Sequence, residues 1–195
     1  MSKYPRIAGI NYESVVDGQG VRTVIYFSGC THNCPGCQNA DVQNPDAGEE
    51  CTEELLKTIA DEINKRPFVK GITLSGGDPL YEPEKTYNFL CALWKLLRVD
   101  KSKFDVWLYT GYTWKQIKED LIPNVGHVFD LLCATTVLVD GRFVKDLADK
   151  RLRFRGSKNQ QIIDVQKSLP RALDKLVLWR NKRNDIANTG THADG

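Results

Sequence analysis

The sequence predicts an α/β fold, arranged as an open partial (β/α) barrel of about five to six parallel strands. The chain has 195 residues, a length typical of one domain and too short for a closed barrel of eight units. Short runs of β-branched and aromatic residues alternate with segments whose apolar residues share one helical face. This alternation is typical of βαβ units, in which the strands are parallel.

The first half of the chain contains two predicted strands and two predicted helices. Residues 21–27 and 71–75 are apolar, β-branched runs of strand length. Between them, Thr52 can cap a helix whose apolar residues recur at helical spacing up to Pro67. Pro83 suits the first turn of a second helix, because that position does not need an amide hydrogen.

The second half continues the same pattern. Residues 104–109, 135–139 and 161–165 are predicted strands, and a short helix is predicted at residues 114–120. One domain is predicted over residues 1–180. The polar segment at residues 181–195 is predicted to be a disordered tail.

Composition and charge favour a globular protein over a nucleic-acid-binding or membrane protein. The chain is 41% hydrophobic and 27% charged, with a net charge of +2, which is typical of a globular protein. The segment from Arg142 to Arg183 contains thirteen lysines and arginines and only four aspartates. This excess of positive charge indicates an anionic ligand, an acidic partner or simply solvated faces. No pattern favours nucleic acid. No apolar run approaches the length of a signal or a membrane span, so a cytoplasmic protein without membrane contact is expected.

Three of the six cysteines, Cys30, Cys34 and Cys37, follow the first predicted strand with the spacing C-x3-C-x2-C. Such crowding in a reducing compartment indicates a metal or catalytic site. Structural zinc sites and cubane iron–sulfur clusters both usually take four ligands. Three cysteines would leave one iron open to substrate, unless His32 or a remote cysteine completes the set. The scattered cysteines are expected to be small buried hydrophobic residues: Cys51, Cys91 and Cys133.

The cysteine loop resembles that of the radical S-adenosylmethionine superfamily. The resemblance implies a [4Fe–4S] cluster on Cys30, Cys34 and Cys37, which act in catalysis through the cluster, with S-adenosylmethionine chelated to the open iron. Reduction then cleaves the sulfonium to methionine and a 5′-deoxyadenosyl radical, and the cofactors carry this chemistry.

Two further segments bear on the binding of S-adenosylmethionine. Ser75-Gly76-Gly77-Asp78-Pro79 follows the second predicted strand and resembles the superfamily's Gly-Gly-Glu segment, which implies that Gly76, Gly77 and Asp78 bind the methionine amino group. Gly36 departs from the superfamily, since many members carry an aromatic residue just before the third cysteine. The backbone from Gly36 through Cys37 to Gln38 could still contact the adenine.

The segment Asp17-Gly18-Gln19-Gly20-Val21-Arg22 is similar to the Asp-Gly-Pro-Gly-Ile-Arg segment of the activating enzymes of glycyl-radical enzymes. This likeness implies that Asp17, Gly18 and Gly20 contact the glycyl loop of a protein partner, although the same segment also makes a tight turn. Residues 138–143 and 153–161, together with the short length, narrow the implied partner to an anaerobic ribonucleoside-triphosphate reductase. The resemblance spans about residues 7–165.

The resemblance implies that the deoxyadenosyl radical takes a hydrogen atom from a reductase glycine, with a flavodoxin-like or other low-potential electron donor. Alternatives are activation of pyruvate formate-lyase or another glycyl-radical enzyme, and small-molecule radical chemistry such as the ring contraction of deazapurine synthesis. An electron carrier or a zinc-stabilised module would instead need four protein ligands. A carbon radical needs no histidine base, so structural roles are expected for His32, His127 and His192.

Overall fold

The computed structural model describes residues 2–169 and 176–180. The strands are β1 Arg6–Ser14, β2 Arg22–Phe27, β3 Glu49–Glu50, β4 Gly71–Gly76, β5 Asp105–Tyr109, β6 Val137–Asp140 and β7 Gln161–Asp164. The helices are α1 Glu53–Asn64, α2 Pro83–Leu96, α3 Trp114–Gln116, α4 Ile122–Asn124, α5 Val128–Cys133 and α6 Val165–Ser168. A π-helical turn, Ile117–Leu121, joins α3 to α4, and 3-10 turns lie at Ala40–Gln43 and Lys145–Leu147.

The seven strands form one mixed sheet in the order β3-β1-β2-β4-β5-β6-β7. Three neighbouring pairs are parallel, from β2 through β4 and β5 to β6, and the other three pairs are antiparallel. The predicted open partial barrel of five to six parallel strands is therefore wrong. A parallel pair needs a long crossover, usually a helix. The chain instead turns back directly between β1 and β2, and residues 141–160 return from β6 to β7 with only a 3-10 turn.

Most elements predicted from local patterns are confirmed. Thr52 caps α1, because its hydroxyl oxygen accepts a hydrogen bond from the Leu55 amide at 3.1 Å. Pro83 lies in the first turn of α2. The predicted strands correspond to β2, β4, β5, β6 and β7, whereas β1 and β3 were not predicted. The predicted tail, residues 181–195, lies outside the described residues, and the single domain over residues 1–180 stays a prediction.

The helices cover one face of the sheet, and a smaller aromatic cluster covers the other. Alternate residues of a strand point to opposite faces. Val106 and Leu108 accordingly join the main core under the helices, whereas Trp107 packs with Phe154 on the opposite face. No helix in the part of the chain that the structure describes is long and apolar enough to cross a membrane.

Arg22 is fully buried beside Trp107 and ties three parallel strands together. Its guanidinium donates to the Thr73 hydroxyl at 2.8 Å and to the Ile72 carbonyl at 2.6 Å, and it forms an ion pair with Asp105. Burial lowers the pKa of Arg22, while the carboxylate of Asp105 acts in the opposite direction. The guanidinium also donates to the Gln19 carbonyl at 3.2 Å, which holds the loop before β2 against the sheet.

Candidate functional site

One cavity opens where the four parallel strands end. β2 leads into the cysteine loop and β4 into the Gly-Gly turn, while β5 and β6 lead into two further lining segments. Carboxyl ends of parallel strands share one edge of a sheet, where ligands commonly bind. Several residues predicted for the site line this cavity together: Asp17, Cys30, Cys34, Cys37, Gln38, Gly76 and Gly77.

Tight turns bring the three thiols to this cavity. The Cys37 amide donates to the Cys34 carbonyl at 3.1 Å, and Gly36 between them has a left-handed φ of 74°, which glycine adopts without strain. The Cys30 amide is anchored on the Gln43 carbonyl at 3.0 Å. Burial raises the pKa of the Cys30 thiol, so a bound cation is needed to hold it as a thiolate at neutral pH.

The three cysteines suit a cluster better than a single ion. Around one zinc ion, sulfur ligands lie about 3.8 Å apart. Among the described residues, Cys30, Cys34 and Cys37 do not form a group whose ligand atoms all lie within 4.8 Å of one another. In a cubane cluster each cysteine binds a different iron atom, which sets the sulfur atoms farther apart. Three thiols that share one cavity but lie outside the spacing of a single-ion site are the kind of donor set that a [4Fe–4S] cluster takes.

No other described cysteine lines this cavity. Cys51 is buried in the main core, and burial raises its pKa to about 12, so it remains a thiol. Cys91 and Cys133 line a separate groove beside α2 and α5. The expectation that all three are buried holds only for Cys51, since Cys91 is partly buried and Cys133 is exposed.

A chain of three side chains joins the cysteine loop to the segments after β4 and β6; His32 and Asp78 are buried, whereas Arg142 is exposed. The Nε2 atom of His32 is 2.8 Å from Oδ2 of Asp78, and Arg142 donates from Nε to Nδ1 of the same ring at 3.2 Å. The ligand atoms of Cys30, His32 and Asp78 lie within 4.8 Å of one another. Both ring nitrogens of His32 are nevertheless engaged, one by the Asp78 carboxylate and the other by the cationic Arg142 side chain. His32 is therefore not free to complete the ligand set.

Comparisons with known proteins agree with this site. Residues 16–163 match the family model of the 4Fe-4S single cluster domain, and this range contains all the cavity-lining residues. The anaerobic ribonucleoside-triphosphate reductase-activating protein of Salmonella typhimurium is 40% identical over 149 residues, which cover 76% of this chain and 91% of the relative. This chain belongs to the family of anaerobic ribonucleoside-triphosphate reductase-activating proteins.

Further relatives of the same name also match this chain over most of their length. The protein of Escherichia coli (strain K12) is 37% identical over 149 residues, covering 76% of this chain and 91% of the relative. That of Enterobacteria phage T4 is 33% identical over 158 residues, covering 78% of this chain and 93% of the relative. The matched 4Fe-4S domain, residues 16–163, includes the four strands whose ends form the cavity.

The Gly-Gly turn of this family member packs directly against the start of the cysteine loop. The Asp78 amide donates to the Gly29 carbonyl at 2.8 Å, and the Gly77 amide donates to the Phe27 carbonyl at 2.8 Å. Gly76 has a left-handed φ of 104°. A Cβ atom on Gly77 would lie 2.2 Å from the Gly29 carbonyl oxygen, so glycine is required there by close backbone approach.

Replacing Gly77 by alanine is expected to lower the free energy of unfolding by about 1–3 kcal/mol, because an overpacked site must shift its backbone. The shift would move Gly29 and the adjoining cysteine loop, so bound iron should fall as well. Urea denaturation and iron analysis measure both effects. Gly126→Ala is the matched control, since no atom lies within 4 Å of an added Cβ there. Equal behaviour of the two variants would contradict the prediction.

The Asp17 loop brings one of its three predicted contact residues into the cavity. Asp17 lines the cavity, whereas Gly18 and Gly20, both with left-handed φ, face the protein's own side chains. A Cβ on Gly18 would come within 2.9 Å of Arg22 and Trp107. Close packing explains Gly18 without a partner, and a left-handed φ of 81° explains Gly20. A role for Asp17, Gly18 and Gly20 in partner contact stays a prediction.

Four of the six predicted cofactor-binding residues line the cavity, and the other two do not. Asp78 lies behind the turn and does not line it, and neither does Gly36. Sequence reasoning also missed lining residues on the loops after β5 and β6, although their position after parallel strands was a usable signal. These residues include Thr110, Gly111, Gly141, Arg142 and Phe143. Phe143 lies beside Gly36, with its ring 3.7 Å from a Cβ built on that glycine.

Proposed function

We propose that this protein activates an anaerobic ribonucleoside-triphosphate reductase by generating a glycyl radical on it, using S-adenosylmethionine at a [4Fe–4S] cluster. The observation that carries the proposal is the set of three cysteines, Cys30, Cys34 and Cys37, on one cavity with no fourth described cysteine. A cluster held this way has one iron free to bind a small molecule. The names of the relatives favour the reductase as the protein substrate.

The cluster and S-adenosylmethionine, when bound, supply the electron and the carbon radical. The protein's part is to hold and orient them. Cys30, Cys34 and Cys37 would bind iron, and the His32 amide donates to the Cys30 sulfur at 3.5 Å, a contact of the kind that tunes cluster potential. Cys37, Gln38, Gly76 and Gly77 line the space left for S-adenosylmethionine.

Gly36 and Asp78 would contribute differently. Gly36 supports the turn that presents Cys37, with Phe143 beside it. The Asp78 carboxylate accepts hydrogen bonds from four protein groups, at 2.8–2.9 Å. Direct contact between Asp78 and the methionine amino group would therefore require that it exchange one of these bonds.

The rim of the cavity offers a surface suited to a protein substrate. Val15 and Val16 are 63% and 70% exposed, directly before the cavity-lining Asp17. Adjacent apolar side chains exposed beside a site are typical of a surface that another protein covers. A backbone glycine on a flexible partner loop could enter there, and we place this encounter in the cytoplasm, with a flavodoxin-like or other low-potential donor supplying electrons.

Electron paramagnetic resonance tests the function. Anaerobic mixing of this protein with the reductase, S-adenosylmethionine and a reductant should give the doublet of a glycyl radical. A parallel sample with pyruvate formate-lyase should remain silent. Absence of a signal with the reductase, while S-adenosylmethionine is still cleaved, would overturn the assignment of the partner. Absence of cleavage in every sample would overturn the chemistry.

Replacing Val15 and Val16 together by aspartate should reduce glycyl-radical formation at least about tenfold, since burying two charges in a protein interface is costly. Cleavage of S-adenosylmethionine without the partner should stay unchanged, because neither side chain lines the cavity. Comparing the two rates separates docking from chemistry. Val125→Asp, at another exposed valine, is the control. Equal loss of both rates in the double variant would contradict the docking role.

A further inference from the structure

We propose that Arg142 binds the carboxylate of S-adenosylmethionine, and that His32 and Asp78 are positioning residues that hold its guanidinium in place. This inference rests on the function proposed above. It gives the acid of the Gly-Gly-Asp turn a role that acts through two other side chains.

The contacts define the direction of each hydrogen bond in this chain. A guanidinium has no acceptor, so Arg142 Nε must donate to Nδ1 of His32, 3.2 Å away. The proton of the neutral ring then lies on Nε2, which donates to Asp78 at 2.8 Å. His32 and Asp78 are 8% and 3% exposed. The buried His32 ring therefore holds the Nε edge of the Arg142 head group, and the buried Asp78 holds the ring.

The carboxylate of Asp78 is buried and engaged by protein donors, and Asp78 does not line the cavity. Its Oδ2 atom accepts from His32, from the Thr110 hydroxyl and from the Gly111 amide. Its Oδ1 atom accepts from the Leu80 amide. A carboxylate has about four lone-pair sites, two on each oxygen; Oδ2 is fully used by its three donors, and Oδ1 keeps at most one site, on a residue that does not line the cavity. Through His32, the carboxylate of Asp78 is linked to Arg142, which lines the cavity.

The space for His32 is built into the backbone. A Cβ atom on Gly111 would lie 2.2 Å from the His32 ring, so this glycine leaves the room that the imidazole occupies. The same residue donates its amide to Asp78 at 2.9 Å. The Tyr112 ring packs edge-on against His32, with the ring centroids 4.4 Å apart. The imidazole is therefore held from three sides.

Arg142 is the only lysine or arginine among the described residues that line the cavity. No described carboxylate forms an ion pair with it, in contrast to Arg22 with Asp105 or Arg66 with Glu62. Its terminal nitrogens thus keep a planar fork of donors that matches a carboxylate. The carboxylate is the one anionic group of S-adenosylmethionine, so it is the group that this cation should bind.

Equilibrium binding to the cluster-loaded protein tests the inference without a turnover assay. S-adenosylmethionine and its decarboxylated analogue, which lacks only the carboxylate, would each be titrated anaerobically by calorimetry. Arg142→Ala should weaken binding of S-adenosylmethionine about 10–100-fold, the value of a hydrogen-bonded charge. Its affinity for the decarboxylated analogue should match that of the unmodified protein. Arg151→Ala, with a side chain 88% exposed outside the cavity, should change neither affinity.

Variants of the two positioning residues should show the same difference between the two ligands. Asp78→Asn and His32→Gln should each weaken the binding of S-adenosylmethionine more than the binding of the decarboxylated analogue. Iron content is measured in parallel. An equal loss of affinity for both ligands in Arg142→Ala would overturn the inference, since it would show that Arg142 stabilises the cluster and does not bind the carboxylate. Undiminished S-adenosylmethionine affinity would overturn it too. Failure of the unmodified protein to bind S-adenosylmethionine at all would instead overturn the proposed function.

Discussion

Replacing Cys34 by alanine is expected to abolish cluster binding and reductase activation together. The same result is expected for Cys30 and Cys37, because each thiolate would hold a different iron atom and only three described cysteines line the cavity. Iron and sulfide should fall from about four of each per chain toward zero. Anaerobic reconstitution followed by iron and sulfide analysis and optical spectra gives the measurement.

The other cysteines of this chain are the matched controls. Cys91→Ala and Cys133→Ala should retain full iron content, because both lie in the groove beside α2 and α5. Cys51→Ala should retain iron and lose only modest stability, because it removes one buried sulfur from the main core. Loss of the cluster in any of these three variants would contradict the open-iron site and favour a fully protein-ligated cluster.

Replacing Arg22 by alanine should lower the free energy of unfolding by about 3–5 kcal/mol, the usual cost of breaking a buried ion pair. The variant leaves Asp105 without its cation and Thr73 without its donor. It also releases the Gln19 carbonyl, so the Asp17 loop should lose its anchor on the sheet. Urea denaturation measures the first effect, and protease sensitivity within residues 14–21 measures the second.

Arg66→Ala is the control for this prediction. Arg66 pairs with Glu62 and Glu13 at the surface, where water screens such a pair and it contributes little to stability. Replacing Arg22 by methionine together with Asp105 by leucine should recover part of the lost stability, since no charge then remains unpaired. If Arg22→Ala cost no more than Arg66→Ala, the buried ion pair would not stabilise the sheet.

Local patterns were sufficient for the central part of the fold. β2, β4 and β5 are short apolar runs, and the apolar residues of α1 recur at the helical period, so their neighbours in sequence specify them. β1 was missed because its burial alternates imperfectly along its nine residues. β3 has two residues, both exposed. The pairing of β3 with β1 joins residues that are distant in sequence, and a local sequence pattern cannot predict it.

The mixed sheet was also beyond local inference. Whether β7 lies parallel or antiparallel to β6 depends on the path of residues 141–160, which return without a helical crossover. A strand pattern by itself carries no direction. The alternation of strands and helices thus led to a wrong prediction of a parallel sheet, since only the pairs from β2 to β6 are parallel.

For the site, the sequence by itself determined the cysteine loop and the Gly-Gly turn, because both depend on spacing and turn chemistry within a few residues. Only the tertiary structure decided what Asp78 does. Its partners His32 and Thr110 come from two separate loops, and Arg142, which donates to His32, comes from a third loop 110 residues after His32. Parallel strands bring those loops to one edge of the sheet, and a side chain's hydrogen bonds follow from that arrangement and not from its own motif.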